Sequence, residues 1–356
     1  MGMLRFLRTC FLVLLLFTSA SVRSQDFTFS QFALNYHVFN PASIGHIDSD
    51  VRVVATYRNQ WFASGFPYQT FLASGEWKIN PFPKKLKQAG VSLSLADDQV
   101  GDGQWRNTWI NAGLSATKEL DAAHRHHFSV GVSTAMLMRQ FNAKNLVFEN
   151  QFESSSFEFN PAISSGEGLE ATKQTFFQVN SGIRYDFAVT DRLAFGVGAS
   201  ALWLYRPIEA LSNFSSDGVS RMNSRVTGLF TARWKFTDDL WIDPQCFFSQ
   251  QGKAREFNFG GWLVFSSHLE NKGLWQTGFG LFCRLGDSMI PAIRLGNERI
   301  YGQLSYDATF SGVKNTDVDK KFIGMGGMGA LEFSLVYGLN LKAKPYRTYP
   351  VPCQTF

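Results

Sequence analysis

Hydrophobic and polar residues alternate with period 2 along most of this chain, the spacing that puts neighbouring side chains on opposite faces of a β-strand. From Gln69 to Ile79, Phe71, Ala73, Trp77 and Ile79 share one face, and Thr70, Ser74, Glu76 and Lys78 the other. From Phe177 to Phe187, Phe177, Val179, Ile183, Tyr185 and Phe187 alternate with Gln178, Asn180, Gly182, Arg184 and Asp186. Near the end, Leu331, Phe333, Leu335, Tyr337, Leu339 and Leu341 alternate with Glu332, Ser334, Val336, Gly338 and Asn340. Such segments run for about ten residues, the length a tilted strand needs to cross a bilayer. Backbone polar groups in hydrocarbon must all be paired, so ribbons of this kind have to close into a barrel.

The pattern predicts fourteen strands, at 51–60, 68–79, 88–97, 104–117, 126–139, 175–187, 192–206, 222–236, 240–250, 255–267, 274–285, 289–296, 299–310 and 329–342. The expected fold is therefore all-β, a transmembrane antiparallel barrel. The longest gaps, 140–174, 207–221 and 311–328, all follow odd-numbered strands and so fall on one side. Gaps after even-numbered strands, such as 189–191, 237–239 and 297–298, are short. Outer-membrane barrels have short periplasmic turns and long extracellular loops, which places both termini in the periplasm. Trp77, Trp105, Trp234, Trp241 and Trp275 near strand ends suit interfacial girdles, while Trp203 and Trp262 fit interior packing as well.

The first 24 residues read as a cleavable signal peptide: Arg5 and Arg8, a short apolar run from Cys10 to Phe17, then small and polar residues to Ser24. Removing it takes out Arg5, Arg8 and Arg23 and lowers the formal charge from +5 to +2, too little for a nucleic-acid footprint. The chain then divides into a periplasmic N-terminal segment (25–50), the barrel (51–342) and a periplasmic tail (343–356). Aromatics make up 15% and charged residues only 18%, a balance that favours a lipid-facing wall over two soluble domains. Cys246, Cys283 and Cys353 are widely spaced and fit no zinc or redox motif.

Little points to catalysis. His124, His126 and His127 share a polar turn without regular metal-ligand spacing. Asp97 and Asp98 precede Gly101-Asp102-Gly103, where turn chemistry explains acid and glycine more simply than Ca²⁺ or hydrolysis does. No Gly-x-Ser-x-Gly elbow is present. No cofactor is expected. The long gap 140–174 carries Phe141, Phe148, Phe152, Phe157 and Phe159 with Glu149, Glu153 and Glu158, which suit either a protein contact or a lid over the barrel mouth.

The most distinctive stretch lies before and within the first strand: Ser30-Gln31-Phe32, then Phe39-Asn40-Pro41-Ala42 and Gly45, then Tyr57-Arg58-Asn59-Gln60-Trp61. With Asp243-Pro244, Leu304-Ser305-Tyr306-Asp307 and the tail Val351-Pro352-Cys353-Gln354-Thr355-Phe356, it resembles the PorP/SprF family of the type IX secretion system of Bacteroidetes. The family's second Pro after that Cys is Gln354 here. The resemblance spans the whole chain after the signal. It implies a non-enzymatic accessory outer-membrane barrel that connects the secretion machinery, or particular secreted adhesins including gliding-motility adhesins, to the outer membrane. Its implied partners are a periplasmic ring lipoprotein with its associated protein, a peptidoglycan-linked component and the C-terminal domain of the secreted substrate. A transport barrel for small solutes is the alternative. Read as residues alone, segment 27–50 either folds up into the barrel as a plug or presents a surface to partners. Arg58, if it points inward, has Asp307 or Glu76 as a carboxylate partner.

Overall fold

The computed structural model describes residues 27–341 apart from 63–66, 80–85, 102–104, 142–148, 154–156, 161, 164–171, 210–219, 270–272, 298 and 311–328. Fourteen antiparallel strands close into one barrel, each bonded to its neighbours in the chain and the last to the first. They are β1 (Val51–Gln60), β2 (Tyr68–Ile79), β3 (Gln88–Val100), β4 (Trp105–Glu119), β5 (His126–Phe141), β6 (Thr172–Thr190) and β7 (Leu193–Leu202). Then follow β8 (Arg225–Lys235), β9 (Leu240–Gln251), β10 (Ala254–Leu269), β11 (Gly273–Arg284), β12 (Ser288–Asn297), β13 (Ile300–Thr309) and β14 (Ala330–Leu339). Every strand the alternation predicts is present. The seam pairs β1 with β14 in continuous register, Arg58 opposite Glu332.

The wall is inverted relative to a soluble protein. On β14, Leu331, Phe333, Leu335, Tyr337 and Leu339 are exposed, while Glu332, Ser334 and Val336 are buried. On β2, Phe71 and Trp77 are exposed, and Thr70, Ser74 and Glu76 buried. Apolar side chains on the outer face meet hydrocarbon at no desolvation penalty, and polar ones satisfy each other inside. The strand ends repeat the expected asymmetry: the longest gaps, after β5, β7 and β13, open from one rim, and the short ones, after β6, β8 and β12, from the other.

Two sequence expectations need correction. Trp105 and Trp241 do not stand in a girdle. They face the lumen, where Arg139 lies over the Trp105 ring and the Trp241 indole N–H donates to Asp243. Trp77, Trp234 and Trp275 do face outward, all at the rim of the short connections. The seventh strand stops at Leu202 rather than continuing to 206, because Trp203 takes a left-handed backbone (φ 58°) that breaks the extended run. Cys246 and Cys283 are free and sit two strands apart, since both pair with Phe259 between them. Strands two apart are separated by about 10 Å, beyond disulfide reach. Cys353 lies outside the described residues.

Candidate functional site

The residues before β1 occupy the lumen. Two short 3-10 turns (Phe32–Asn35 and Pro41–Ser43) flank one helical turn (Tyr36–Phe39), and the side chains from Phe29 to Ile47 are buried. These turns are too short to be stable alone. What holds them is the wall. Phe32 stacks on Phe247 at 5.5 Å and meets Phe282 edge-on, and Phe39 lies 5.0 Å from Phe247. Each fully buried Phe contributes about 1.5–3 kcal/mol by burial.

Polar anchoring follows one theme: a buried arginine–carboxylate pair of the wall also engages the segment. At the seam, the backbone N–H groups of Ser30 and Gln31 donate to the two oxygens of Glu332, both at 2.8 Å. Arg58 donates to Glu332 at 3.1 Å and to Asp307 at 2.9 Å, and its guanidinium also bonds the Ser30 hydroxyl. Arg284 joins from β11, donating to Asp307 at 3.0 Å and to the Ser30 hydroxyl at 3.1 Å. Farther along, Arg52 pairs with Glu76 and donates to the Leu34 carbonyl at 3.1 Å, while Glu76 accepts from the Gly45 N–H at 3.0 Å. The third pair is Arg184 with Asp186 at 2.7 Å, with His46 Nδ1 at 3.4 Å from Asp186 and His46 Nε2 bonded to the Ser129 hydroxyl. Buried pairs of this kind are weak contributors to stability when intact and costly to break, so they fix position more than they add stability.

Glycines make room for the close approach. A Cβ at Gly131 would fall inside the backbone of Pro41 and Ala42. One at Gly182 would strike the Asn40 side chain, whose Nδ2 donates to the Ile183 carbonyl at 3.0 Å. Gly45 itself needs its left-handed φ of 76°.

The segment crosses the lumen from rim to rim. Ser30 contacts Arg58 and Asp307, near the rim of the long connections, whereas Asp50 leads into β1 at the opposite rim. Its carboxylate and aromatic partners lie along the wall between the two rims.

Of the residues singled out from sequence, Gln31, Phe39, Asn40, Pro41, Gly45, Arg58 and Asp307 come together in this network. Arg58 takes Asp307, not Glu76, which belongs to Arg52. Tyr57 and Tyr306 face outward, one residue off the inward period. Gln60 accepts from Arg58 at 3.4 Å, and Trp61 turns off the end of β1 to meet Tyr68 edge-on. Sequence reasoning missed Glu332, Arg284, Arg52 and Asp186. Their signal was a charge on the polar face of an otherwise apolar-alternating strand.

Asp97 and Asp98 point to opposite sides of β3: Asp97 bonds Arg106 and Thr108, and Asp98 accepts from Thr70. They cannot share a substrate. His126 bonds the Tyr185 hydroxyl, His127 sits near Lys87 and Glu119, and His124 pairs with Glu119. Among the described residues no His, Cys, Asp and Glu cluster can hold a metal ion. Phe152, Phe157 and Phe159 meet on a short hairpin in the 142–171 connection, with Phe157 81% exposed.

Docking of the segment is expected to depend on pH through its two lumenal histidines. Burial pushes His46 down to about 4 against the pull of Asp186, and lowers His37 against that of Glu76. Both are therefore neutral in place, whereas a detached histidine titrates near 6.5. Above that value nothing is lost; as pH falls from about 6.5 toward 4, only the detached segment takes up protons, so docking weakens. Protease accessibility of segment 27–50 should rise across that window, and the rise should shrink in His46→Gln. A flat profile in the wild-type barrel would refute the assignment.

Comparison with known proteins agrees with this architecture. Residues 21–337 match the model of a family described as type IX secretion system membrane protein PorP/SprF. No curated protein matches. Among solved structures, a FadL homologue from Pseudomonas aeruginosa is similar at 10% identity and a TM-score of 0.50, covering 85% of this chain and 93% of that one. The Ralstonia pickettii toluene transporter TbuX is similar at 9% identity and a TM-score of 0.44, covering 84% and 91%. At these identities the likeness concerns the fold alone.

Proposed function

The chain belongs to the PorP/SprF family of type IX secretion system membrane proteins, and from that premise we propose that it is a non-enzymatic accessory barrel that links the machinery, or particular secreted adhesins, to the outer membrane. One observation carries the reading: the lumen is occupied by the chain's own segment, tied to the wall at three arginine–carboxylate pairs. With its lumen so occupied, the barrel offers its rims and connections for protein contacts. On this reading the long connections face the exterior and both ends of the chain the periplasm. There we infer contacts with the ring lipoprotein and its associated protein and with a peptidoglycan-linked component. The C-terminal domain of a secreted substrate is the remaining partner.

Deleting the gene is expected to abolish surface display of a subset of large secreted proteins. Unimpaired display of all of them would overturn the proposal. Loss of small-solute uptake instead would favour the transport alternative.

A further inference from the structure

Cations gather along one arc of the rim from which the long connections open, between β6 and β10. The connection after β7 forms a small hairpin, with Ile208 opposite Arg221 and Glu209 opposite Ser220, and the Gln174 side chain of β6 donates to the Ile208 carbonyl at 3.0 Å. Arg206 donates from Nε to the Met222 carbonyl at 3.2 Å and from Nη2 to Asn223 Oδ1 at 3.1 Å, and Arg221 donates from Nη1 to the Arg206 carbonyl at 3.1 Å. Asn223 also touches the turn between β9 and β10. Its carbonyl accepts from the Gln251 side chain at 3.3 Å, and a Cβ at Gly252 would come within 2.8 Å of its Nδ2. Lys253 and Arg255 follow that glycine. Arg206, Arg221, Lys253 and Arg255 are all exposed, and among the described residues no carboxylate pairs with any of them. Glu209 and Asp217 are the acids of the same connection, so four cations against two acids keep a net charge of +2. Glu256 of β10 is buried and turned toward Arg225 and Arg284.

Arg255 fixes what this arc meets. It stands on the outward face of β10, in line with Phe257 and Phe259, both exposed and with ring centroids 5.6 Å apart. Tyr205 and Ile208 are exposed beside the other two arginines. Apolar rings that meet hydrocarbon, with cations on the rim side of them, mark the depth of lipid headgroups. We propose that this arc binds the phosphate of an anionic membrane lipid, with Lys253 and Arg255 at its lipid-facing end. The guanidinium fork matches phosphate oxygens, and Lys253 adds a compact charge. Clusters of about four to eight Lys and Arg at a membrane boundary bind anionic lipids, each cation adding about fivefold. An acidic polypeptide seated over the rim would have no use for a cation on the lipid-facing wall. On the proposed orientation the lipid belongs to the outer leaflet; the phosphate recognition holds in either.

The test is native mass spectrometry of the purified full-length barrel in neutral detergent, titrated with phosphorylated lipid A. Its affinity should fall about fivefold in Lys253→Gln and again when Arg255→Gln is added. Lys118→Gln, which removes an exposed cation of β4 at the opposite rim, should leave it unchanged. Dephosphorylated lipid A should bind the wild-type barrel no better than it binds the double variant. Unchanged lipid A affinity in the double variant overturns the proposal. So does displacement of lipid A by an equal concentration of inorganic phosphate, which marks a free-phosphate site, or of polyglutamate, which marks an acidic-polypeptide site. Should the double variant lose its heat-modifiable folded form, the wild-type barrel carries the test through salt: rim charges are screened, so binding must weaken from low to physiological ionic strength, and a flat response overturns the assignment. Failure here leaves the secretion role standing, because gene deletion reads that role separately.

Discussion

A Gly131→Val barrel is expected to conduct ions across a planar bilayer where the wild-type barrel does not. The inner face of β5 at Gly131 touches the peptide units of Pro41 and Ala42. A side chain there meets backbone, which cannot rotate away, so the wall or the segment must yield. The wall is held by ladders on both sides, to β4 and to β6. The segment has one helical turn and two 3-10 turns, and is the weaker element. Displacement of the Pro41 region takes with it the Asn40 contacts and the neighbouring Phe39–Phe247 ring contact. Gly75→Ala, where a Cβ meets nothing within 4 Å, should stay closed. A variant lacking residues 27–47 should conduct as Gly131→Val does. A folded Gly131→Val barrel that stays silent, with the deletion variant also silent, would show that the segment does not close the lumen.

Arg58→Met is expected to lower the stability of the folded barrel by about 3–5 kcal/mol, the range for breaking one side of a buried ion pair. Arg58 serves Glu332 and Asp307 at once, and both carboxylates are almost wholly buried. Without it, Glu332 keeps only uncharged backbone donors from Ser30 and Gln31, and Asp307 keeps Arg284 and the Ser30 hydroxyl. Adding Glu332→Gln to Arg58→Met should recover part of the loss by removing the stranded charge. Arg106→Met, which breaks the half-exposed pair with Asp97, should cost no more than about 1 kcal/mol. Denaturant midpoints in detergent compare the three. An Arg58→Met midpoint no lower than that of Arg106→Met would remove the seam network from any structural role.

The barrel was legible in the sequence because its strands obey one rule over their full length. Apolar side chains outside and polar ones inside impose a strict two-residue period, and the lipid demands it on every strand alike. What the period cannot say is which inward residues meet. Arg52, Arg58 and Arg184 all sit on the polar face, and their partners are set by strand stagger and by the segment between them. That is why Arg58 was compatible with either Asp307 or Glu76. Tryptophan near a strand end was similarly ambiguous: one step along β4 or β9 exchanges lipid for lumen, as Trp105 and Trp241 show. Segment 27–50 carries no period at all, so its path had to be learned from its contacts.

The Ser30 and Gln31 bonds to Glu332 tie the two ends of the fold together. They join the earliest-synthesised part of the folded chain to the final strand, at the very row where the cylinder is zipped shut. Closing the cylinder and seating its contents are thus coupled, because the row that zips the wall shut also completes the polar grip on the segment.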